Sequence, residues 1–232
     1  MEALILAGGL GTRLRTAVPT LPKCMAPINN IPFIAYVINH LQHQGVNQFI
    51  FSLGYKSDDF IQFLASYLPE NSYTVVVEDE PLGTGGAIKL GLTKSESDHV
   101  IVLNGDSLFK VNIKQELAFH LAHHAKCTLA LKPMQHFDRY GAVEMDTEDI
   151  IVGFKEKKQV AAGYINGGVY IIDKYHFLSL PLATKCSFEV DYLQKYCSEK
   201  FIYGQVQDTY FIDIGIPEDY NKAQNELTLL HD

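Results

Sequence analysis

The sequence has no apolar run long enough to span a bilayer, and its first residues lack the charged and apolar regions of a secretory leader. No membrane partner is expected, and the cytoplasm is the expected location. Cysteine is sparse: Cys24, Cys127, Cys186 and Cys197 form no CxxC pair. That spacing speaks against the usual zinc and dithiol frameworks and fits free thiols in a reducing compartment. Positive charge is also in deficit, with a formal net charge of −8, which argues against a nucleic-acid partner. No internal repeat, low-complexity tract or linker breaks the 232 residues, of which 47% are hydrophobic. One continuous domain over residues 1–232 is the expectation.

The stretch that is there, and that organises the rest, is Leu6-Ala7-Gly8-Gly9-Leu10-Gly11-Thr12-Arg13-Leu14-Arg15. The apolar run Ala3–Ala7 before it reads as a buried strand. Glycines let backbone amides approach a ligand closely and converge on an anion. Arg13 adds a planar guanidinium suited to phosphate oxygens, and Lys23 follows Pro22. A tight strand-to-helix turn is the plainer reading. Two familiar phosphate loops fail. A Walker loop needs Gly-Lys-Ser/Thr, but Thr12-Arg13 follows Gly11. A dinucleotide fingerprint needs glycine where Leu14 stands, and Ser52-Leu53-Gly54-Tyr55 lacks the ribose-binding acid.

Further along, apolar runs alternate with helical periodicity to about residue 132. Strands are predicted at Gln48–Leu53, Tyr73–Val77 and His99–Leu103. Helices are predicted from Pro32 to Gly45, over 58–67 and from the Leu82–Ala87 loop. This is the pattern of an α/β three-layer sandwich with a mostly parallel central sheet. Ligands in such sheets sit beyond the carboxyl ends of the strands. The first glycine loop, Glu78 with the second glycine loop, and Asp106 all fall there. The second half reads as a hairpin over 141–154, a strand over 165–172 with a glycine-pair bulge, a helix over 188–197, a strand over 210–215 and a helix from Pro217.

Asp213 stands in an apolar run, where an unpaired charge is costly. If it meets Asp106, the two make a site for Mg²⁺, which one or two carboxylates typically hold with substrate phosphates. Asp106 alone reads as well as a cap or turn residue. Glu156 and Lys157 read as well as a solvated hairpin edge, and Asn166 as a satisfied turn amide. His120, His123 and His124 lie at helical spacing and are read as a solvated helix face.

Together these motifs resemble the sugar-1-phosphate nucleotidyltransferase family. The likeness rests on Gly8–Leu14, Leu21-Pro22-Lys23, Leu82–Gly86, Asn104-Gly105-Asp106, Tyr140-Gly141, Glu156-Lys157, Asn166-Gly167-Gly168 and Phe211–Gly215, in order over nearly the whole chain. The short length and the Ile212–Tyr220 ending resemble members that guanylylate a heptose 1-phosphate. Cys24 departs from the family, which usually has proline there, and this leaves the firmness of the loop around Lys23 in question.

The resemblance implies Rossmann-like nucleotidyltransferase architecture, with a nucleotide half over about 1–110 and a sugar half over about 111–232. It implies nucleotide contacts from Leu6, Ala7, Gly8, Gly9, Gly11, Thr12, Arg13, Glu78, Gly83 and Asp106. It implies sugar contacts from Asn104, Gly141, Glu156, Lys157, Asn166 and Glu189. Arg13, Lys23, Asp106 and Asp213 would be catalytic, with Mg²⁺ on Asp106 and Asp213. The partners would be a nucleoside triphosphate, GTP favoured, and a sugar 1-phosphate, with a homodimer left open. The sugar-phosphate oxygen would attack the α-phosphorus and expel pyrophosphate, and the product would serve bacterial surface glycans.

Glu78 favours guanine, because a carboxylate only accepts hydrogen bonds and guanine offers two adjacent donors. Capping of the following loop is the plainer reading of the same residue. Uridylyl, cytidylyl or thymidylyl transfer to a hexose or aminosugar phosphate is the main alternative. A metal-dependent glycosyltransferase using Asn104-Gly105-Asp106, or a non-catalytic nucleotide sensor, comes behind it.

Overall fold

Alternate residues of the central strands feed two different cores. Ala3 and Ile5 face one, and Leu4 faces the other. Phe49 and Phe51 divide from Ile50 in the same way, and Ile101 and Leu103 from Val100 and Val102. Strands buried on both faces read as unbroken apolar runs, so these strands were legible without an alternating pattern. Each fully buried Phe, Leu or Ile side chain contributes about 1.5–3 kcal/mol.

The computed structural model describes residues 1–9, 21–54, 57–155 and 159–227. The first half contains β1 (Glu2–Leu6), β2 (Pro27–Ile28), β3 (Ile31–Pro32), α1 (Phe33–His43), β4 (Gln48–Leu53), α2 (Ser57–Tyr67), β5 (Tyr73–Val77), α3 (Gly83–Leu92) and β6 (His99–Asn104). The second half contains β7 (Ser107–Phe109), α4 (Ile113–Ala122), β8 (Cys127–Phe137), β9 (Ala142–Met145), β10 (Ile151–Phe154), β11 (Val160–Asp173) and α5 (Lys174–Ser179). A π-helical turn over Phe188–Gln194, β12 (Ile202–Val206), β13 (Phe211–Asp213) and α6 (Pro217–Glu226) complete it.

The main sheet runs β10-β9-β11-β6-β1-β4-β5, with β8 beside β11 and β12 beside β8. Within it β1, β4, β5, β6, β8, β9 and β12 point one way, and β10 and β11 oppose them. This is the α/β class with a mostly parallel sheet. α1 buries Phe33, Ile34, Val37, Ile38 and Leu41 on one face of the sheet. α3 buries Ile88 and Leu92 on the other. Gly45, at φ 87°, closes the turn after α1, where a side chain would be strained.

Several details differ from expectation. Pro32 caps α1 rather than opening it. The segment expected as a helix over 188–197 is a π-helical turn, followed by a 3-10 turn over Cys197–Glu199. His120 is not on a solvated face. It is fully buried under α4, with Nδ1 2.8 Å from Thr128 Oγ1 and Nε2 3.1 Å from His99 Nδ1. His123 and His124 are exposed as expected. The bulge at the glycine pair is present, as β11 shifts register against β8 between Asn166 and Tyr170.

Candidate active site

Strand register lines up the site. Leu6 of β1 pairs with Ser52 of β4 on one side and with Asn104 of β6 on the other. Leu53 pairs with Val77, so Glu78 follows directly at the same sheet edge. Ladder-like bonds extend past the strand ends: Ala7 N–H donates to Ser52 O at 2.8 Å, Gly105 N–H to Leu6 O at 2.9 Å, and Glu78 N–H to Leu53 O at 2.8 Å. A cleft of about 420 Å³ opens there. Its walls include Leu6, Ala7, Gly8 and Gly9 from the first loop, Glu78, Gly83 and Thr84 from the second, and Asn104, Asp106 and Glu189.

Asp213 reaches this edge through a separate two-stranded ladder. β13 pairs antiparallel with β7, setting Asp213 opposite Ser107, and Ile214 N–H donates to Asp106 O at 3.2 Å. A residue far along the chain is thereby brought beside the end of β6. Lys23 sits between the two acids. Its Nζ donates to Asp106 Oδ2 at 2.6 Å and to Asp213 Oδ1 at 3.0 Å. Burial alone would lower the Lys23 pKa. The two facing carboxylates outweigh it and hold the ammonium above its ordinary value. Asp213 Oδ1 also accepts from Gly215 N–H at 2.8 Å. Burial, then Asp213, pushes the nearby Tyr140 hydroxyl up to about 12.

The Lys23 loop is well packed. Lys23–Met25 form a 3-10 turn, with Cys24 and Met25 buried. Burial, then the Asp106 charge, pushes the Cys24 thiol up to about 12, so it is a packed apolar group rather than a reactive thiolate. The question raised by the missing proline is answered by this packing.

Glu78 is used by the loop that follows it. Its Oε2 accepts Leu82 N–H at 2.9 Å, and its Oε1 lies 3.4 Å from Ser52 Oγ. The capping geometry is therefore present, while Oε1 faces the cleft beside Gly8. Glu189 lies across from it, with Oε2 accepting from Thr84 Oγ1 at 2.7 Å and from Ser187 Oγ at 2.9 Å.

Of the remaining expected residues, Gly141 and Asn166 do not line the cleft. Asn166 is turned into its own strand bend, donating to Tyr170 OH at 2.9 Å and accepting from Gly168 N–H at 3.0 Å. Gly11, Thr12, Arg13, Glu156 and Lys157 lie outside the described residues. Sequence reading passed over Ser52, Thr84 and Gly215, which do line the cleft. Thr84 and Gly215 stood inside quoted motifs and could have been found there. Ser52 needed the register.

Among the described residues, no three His, Cys, Asp or Glu side chains gather at one point. A cation here would rest on two carboxylates and on oxygens brought by substrate. Hard oxygen donors of that number suit Mg²⁺, which keeps water and substrate phosphate ligands.

A cleft at the carboxyl ends of parallel strands is where open α/β sheets take their ligands. The Nucleotidyl transferase family model matches residues 2–229, and the chain belongs to that family. Among its relatives, D-glycero-alpha-D-manno-heptose 1-phosphate guanylyltransferase of Aneurinibacillus thermoaerophilus is 48% identical over 227 residues, covering 98% of both chains. The protein of the same name from Campylobacter jejuni is 40% identical over 95% of this chain and 97% of its own. Two crystal structures of HddC from Yersinia pseudotuberculosis, one of them complexed with GMP-PN, superpose with TM-scores of 0.89 and 0.86. Both are 37% identical and cover 98% of this chain and 99% of that one. Among the described residues, no helix is long and apolar enough to cross a membrane.

Proposed function

We propose that this chain transfers GMP from GTP to D-glycero-α-D-manno-heptose 1-phosphate, releasing pyrophosphate and forming a GDP-heptose. The observation that carries this reading is the end-to-end likeness to relatives named for that activity, at 48% identity over 98% of both chains. The chain acts in the cytoplasm as one domain, and its product supplies bacterial surface glycans. The nucleotide lies mainly against residues from about 1 to 110 and the sugar phosphate mainly against those from about 111 to 232, with Lys23 and Asn104 reaching across.

Each role in the reaction falls to a named residue. GTP enters over Gly8 and Gly9, whose lack of side chains leaves room for the phosphates. Glu78 offers a carboxylate to the donor edge of guanine and would repel the carbonyl oxygen of uracil. Lys23 turns from its two acids to the phosphates of both substrates and neutralises charge as it builds on the α-phosphoryl group. Arg13 takes the outer phosphates. Asp106 and Asp213 would hold Mg²⁺, which supplies charge neutralisation and alignment when bound. The 1-phosphate oxygen of the sugar is already a nucleophile, so no side chain need form a covalent bond. It attacks the α-phosphorus in line, a P–O bond forms, and the bond to pyrophosphate breaks. Alignment of the two substrates carries much of the rate. Glu189, Asn104, Glu156 and Lys157 fix the sugar.

The test is pyrophosphate release with GTP, UTP, CTP, ATP and dTTP, each against the heptose 1-phosphate and a panel of hexose 1-phosphates. Turnover is expected with GTP and the heptose. Preference for UTP or CTP with a hexose phosphate would overturn the assignment of base and sugar.

A further inference from the structure

Besides the Lys23–Asp213 and β7–β13 links, the two halves of the cleft are joined at the loop before α3. Cys186 N–H donates to Leu82 O at 3.0 Å, and Gly85 N–H donates back to Cys186 O at 2.9 Å. Gly83, at φ +75°, passes so close to the Cys186 carbonyl that a Cβ would lie 2.6 Å from its oxygen. Thr84 then makes the side-chain link. Its hydroxyl accepts Phe188 N–H at 2.9 Å and donates to Glu189 Oε2 at 2.7 Å. An amide can only donate to that oxygen, so the hydroxyl proton is directed at the carboxylate. Ser187 Oγ lies on the same Glu189 oxygen at 2.9 Å. Among the described residues, neither bond uses Oε1. Upstream, the same short loop is tied to Glu78, whose Oε2 accepts Leu82 N–H at 2.9 Å.

From this geometry we infer that Thr84 is a positioning residue that couples the base-reading loop to the sugar-side carboxylate Glu189. This rests on the reading above, in which Glu78 faces the nucleotide and Glu189 the sugar. Thr84 touches Glu189 directly and holds its Oε2, so Oε1 is presented to a sugar hydroxyl. The backbone bonds to Cys186 hold the two segments together, and the Thr84 hydroxyl is the side-chain link that carries an adjustment of the Leu82–Thr84 loop, when guanine meets Glu78, to the Glu189 carboxylate. Nucleotide binding therefore sharpens the sugar pocket. Valine at 84 fills the same space and removes both bonds. Serine keeps both.

Steady-state kinetics on Thr84→Val, Thr84→Ser, Glu189→Gln and the Thr84→Val/Glu189→Gln double variant test the wiring. Losing a hydrogen bond to a charged group costs about tenfold or more. The KM for sugar 1-phosphate should rise about tenfold in Thr84→Val, by that same arithmetic, while the KM for GTP stays within about twofold. Thr84→Ser should restore the wild-type value. On the Glu189→Gln background, Thr84→Val should add little. Equal increases in both KM values, or effects that multiply in the double variant, would overturn the inference. If wild type turns over no sugar 1-phosphate, the functional reading has failed. The wiring is then judged by hydrogen exchange at the Phe188 amide with GTP bound. Added protection in wild type and Thr84→Ser but not in Thr84→Val supports it, and equal protection in all three overturns it.

Discussion

Replacing Glu78 by glutamine keeps the side chain's length and its bond from Leu82 N–H, which the amide oxygen can accept. What changes is the atom facing the cleft: an acceptor becomes a donor. Glu78→Gln should therefore lower the ratio of kcat/KM for GTP over UTP by about tenfold, while leaving stability within about 0.5 kcal/mol. Unchanged discrimination would remove Glu78 as the base reader. Lys23 invites the opposite kind of test, a gain. Its ammonium occupies the point on which Asp106 and Asp213 converge, at 2.6 and 3.0 Å. It is thus both a ligand for phosphates and a resting counter-ion for the two acids. Lys23→Met should reduce GMP transfer by about 10²–10³-fold. The same variant should bind Mn²⁺ more tightly than wild type when no nucleotide is present, because two facing carboxylates are left unpaired. Mn²⁺ titration followed by electron paramagnetic resonance checks this. Weaker binding in the variant would contradict the resting-ion account.

At the scale of elements, the site depends on how strand ends and loops are brought into register. The parallel strands β1, β4, β5 and β6 were legible because each is an apolar run closed by glycine or acid. That pattern also placed Glu78 and Asp106 at one edge. The meeting of Asp106 with Asp213 was left open, since it depends on the β7–β13 ladder. Those strands are three residues each, and nothing local in Ser107-Leu108-Phe109 announces a partner more than a hundred residues away. β8 and β12 were passed over for a related reason. β12 is a five-residue edge strand containing glycine, and its partner is again distant in sequence. The helix at 188–194 was legible from its apolar spacing, but nothing local announces that its backbone is wound to π geometry around Phe188, Tyr192 and Leu193. The loop before α3 offers a direct check on this scale. Gly83 combines φ +75° with contact on the Cys186 carbonyl, so Gly83→Ala should cost about 2 kcal/mol or more of stability. Denaturant melts should show it, whereas an unchanged midpoint would mean that the loop is not held against Cys186.

Among the described residues, two large cores lie on either side of the main sheet, with a small third cluster at Phe137, Ala142 and Ile165, and stability should report the ionisable groups sealed beneath α4. Glu116 is fully buried, with Gln207 donating to Oε2 at 2.6 Å and Oε1 without a partner among the described residues. Burial pushes its carboxyl up to about 8, with the Gln207 bond opposing. Cys127 faces it, and burial with the Glu116 charge raises that thiol as well. Burial, then His99, pushes His120 down to about 4, with Asp173 opposing and Lys126 assisting. The signs follow from the unfolded values of 4.5 and 6.5. The contribution of Glu116 is complete below 4.5 and is lost as pH rises to 8. That of His120 is complete above 6.5 and is lost as pH falls to 4. Between 4.5 and 6.5 the two trends oppose each other, and above 6.5 only the Glu116 loss remains. The melting temperature should fall from pH 6.5 to 8 in wild type and fall less in Glu116→Gln, whose amide oxygen still accepts from Gln207. Parallel curves for the two proteins would contradict this. Sequence reading placed His120 on a solvated face because helical spacing alone does not say which side of α4 meets the sheet.

The central claim is that this cleft joins GMP to a sugar 1-phosphate. Phosphorus NMR of GTP, Mg²⁺ and D-glycero-α-D-manno-heptose 1-phosphate with the enzyme tests it most directly. The account predicts equal growth of pyrophosphate and of a pair of coupled diphosphate signals from the GDP-heptose, at the expense of GTP and the sugar phosphate. Orthophosphate alone, or an unchanged sugar-phosphate signal while GTP is bound, would contradict it.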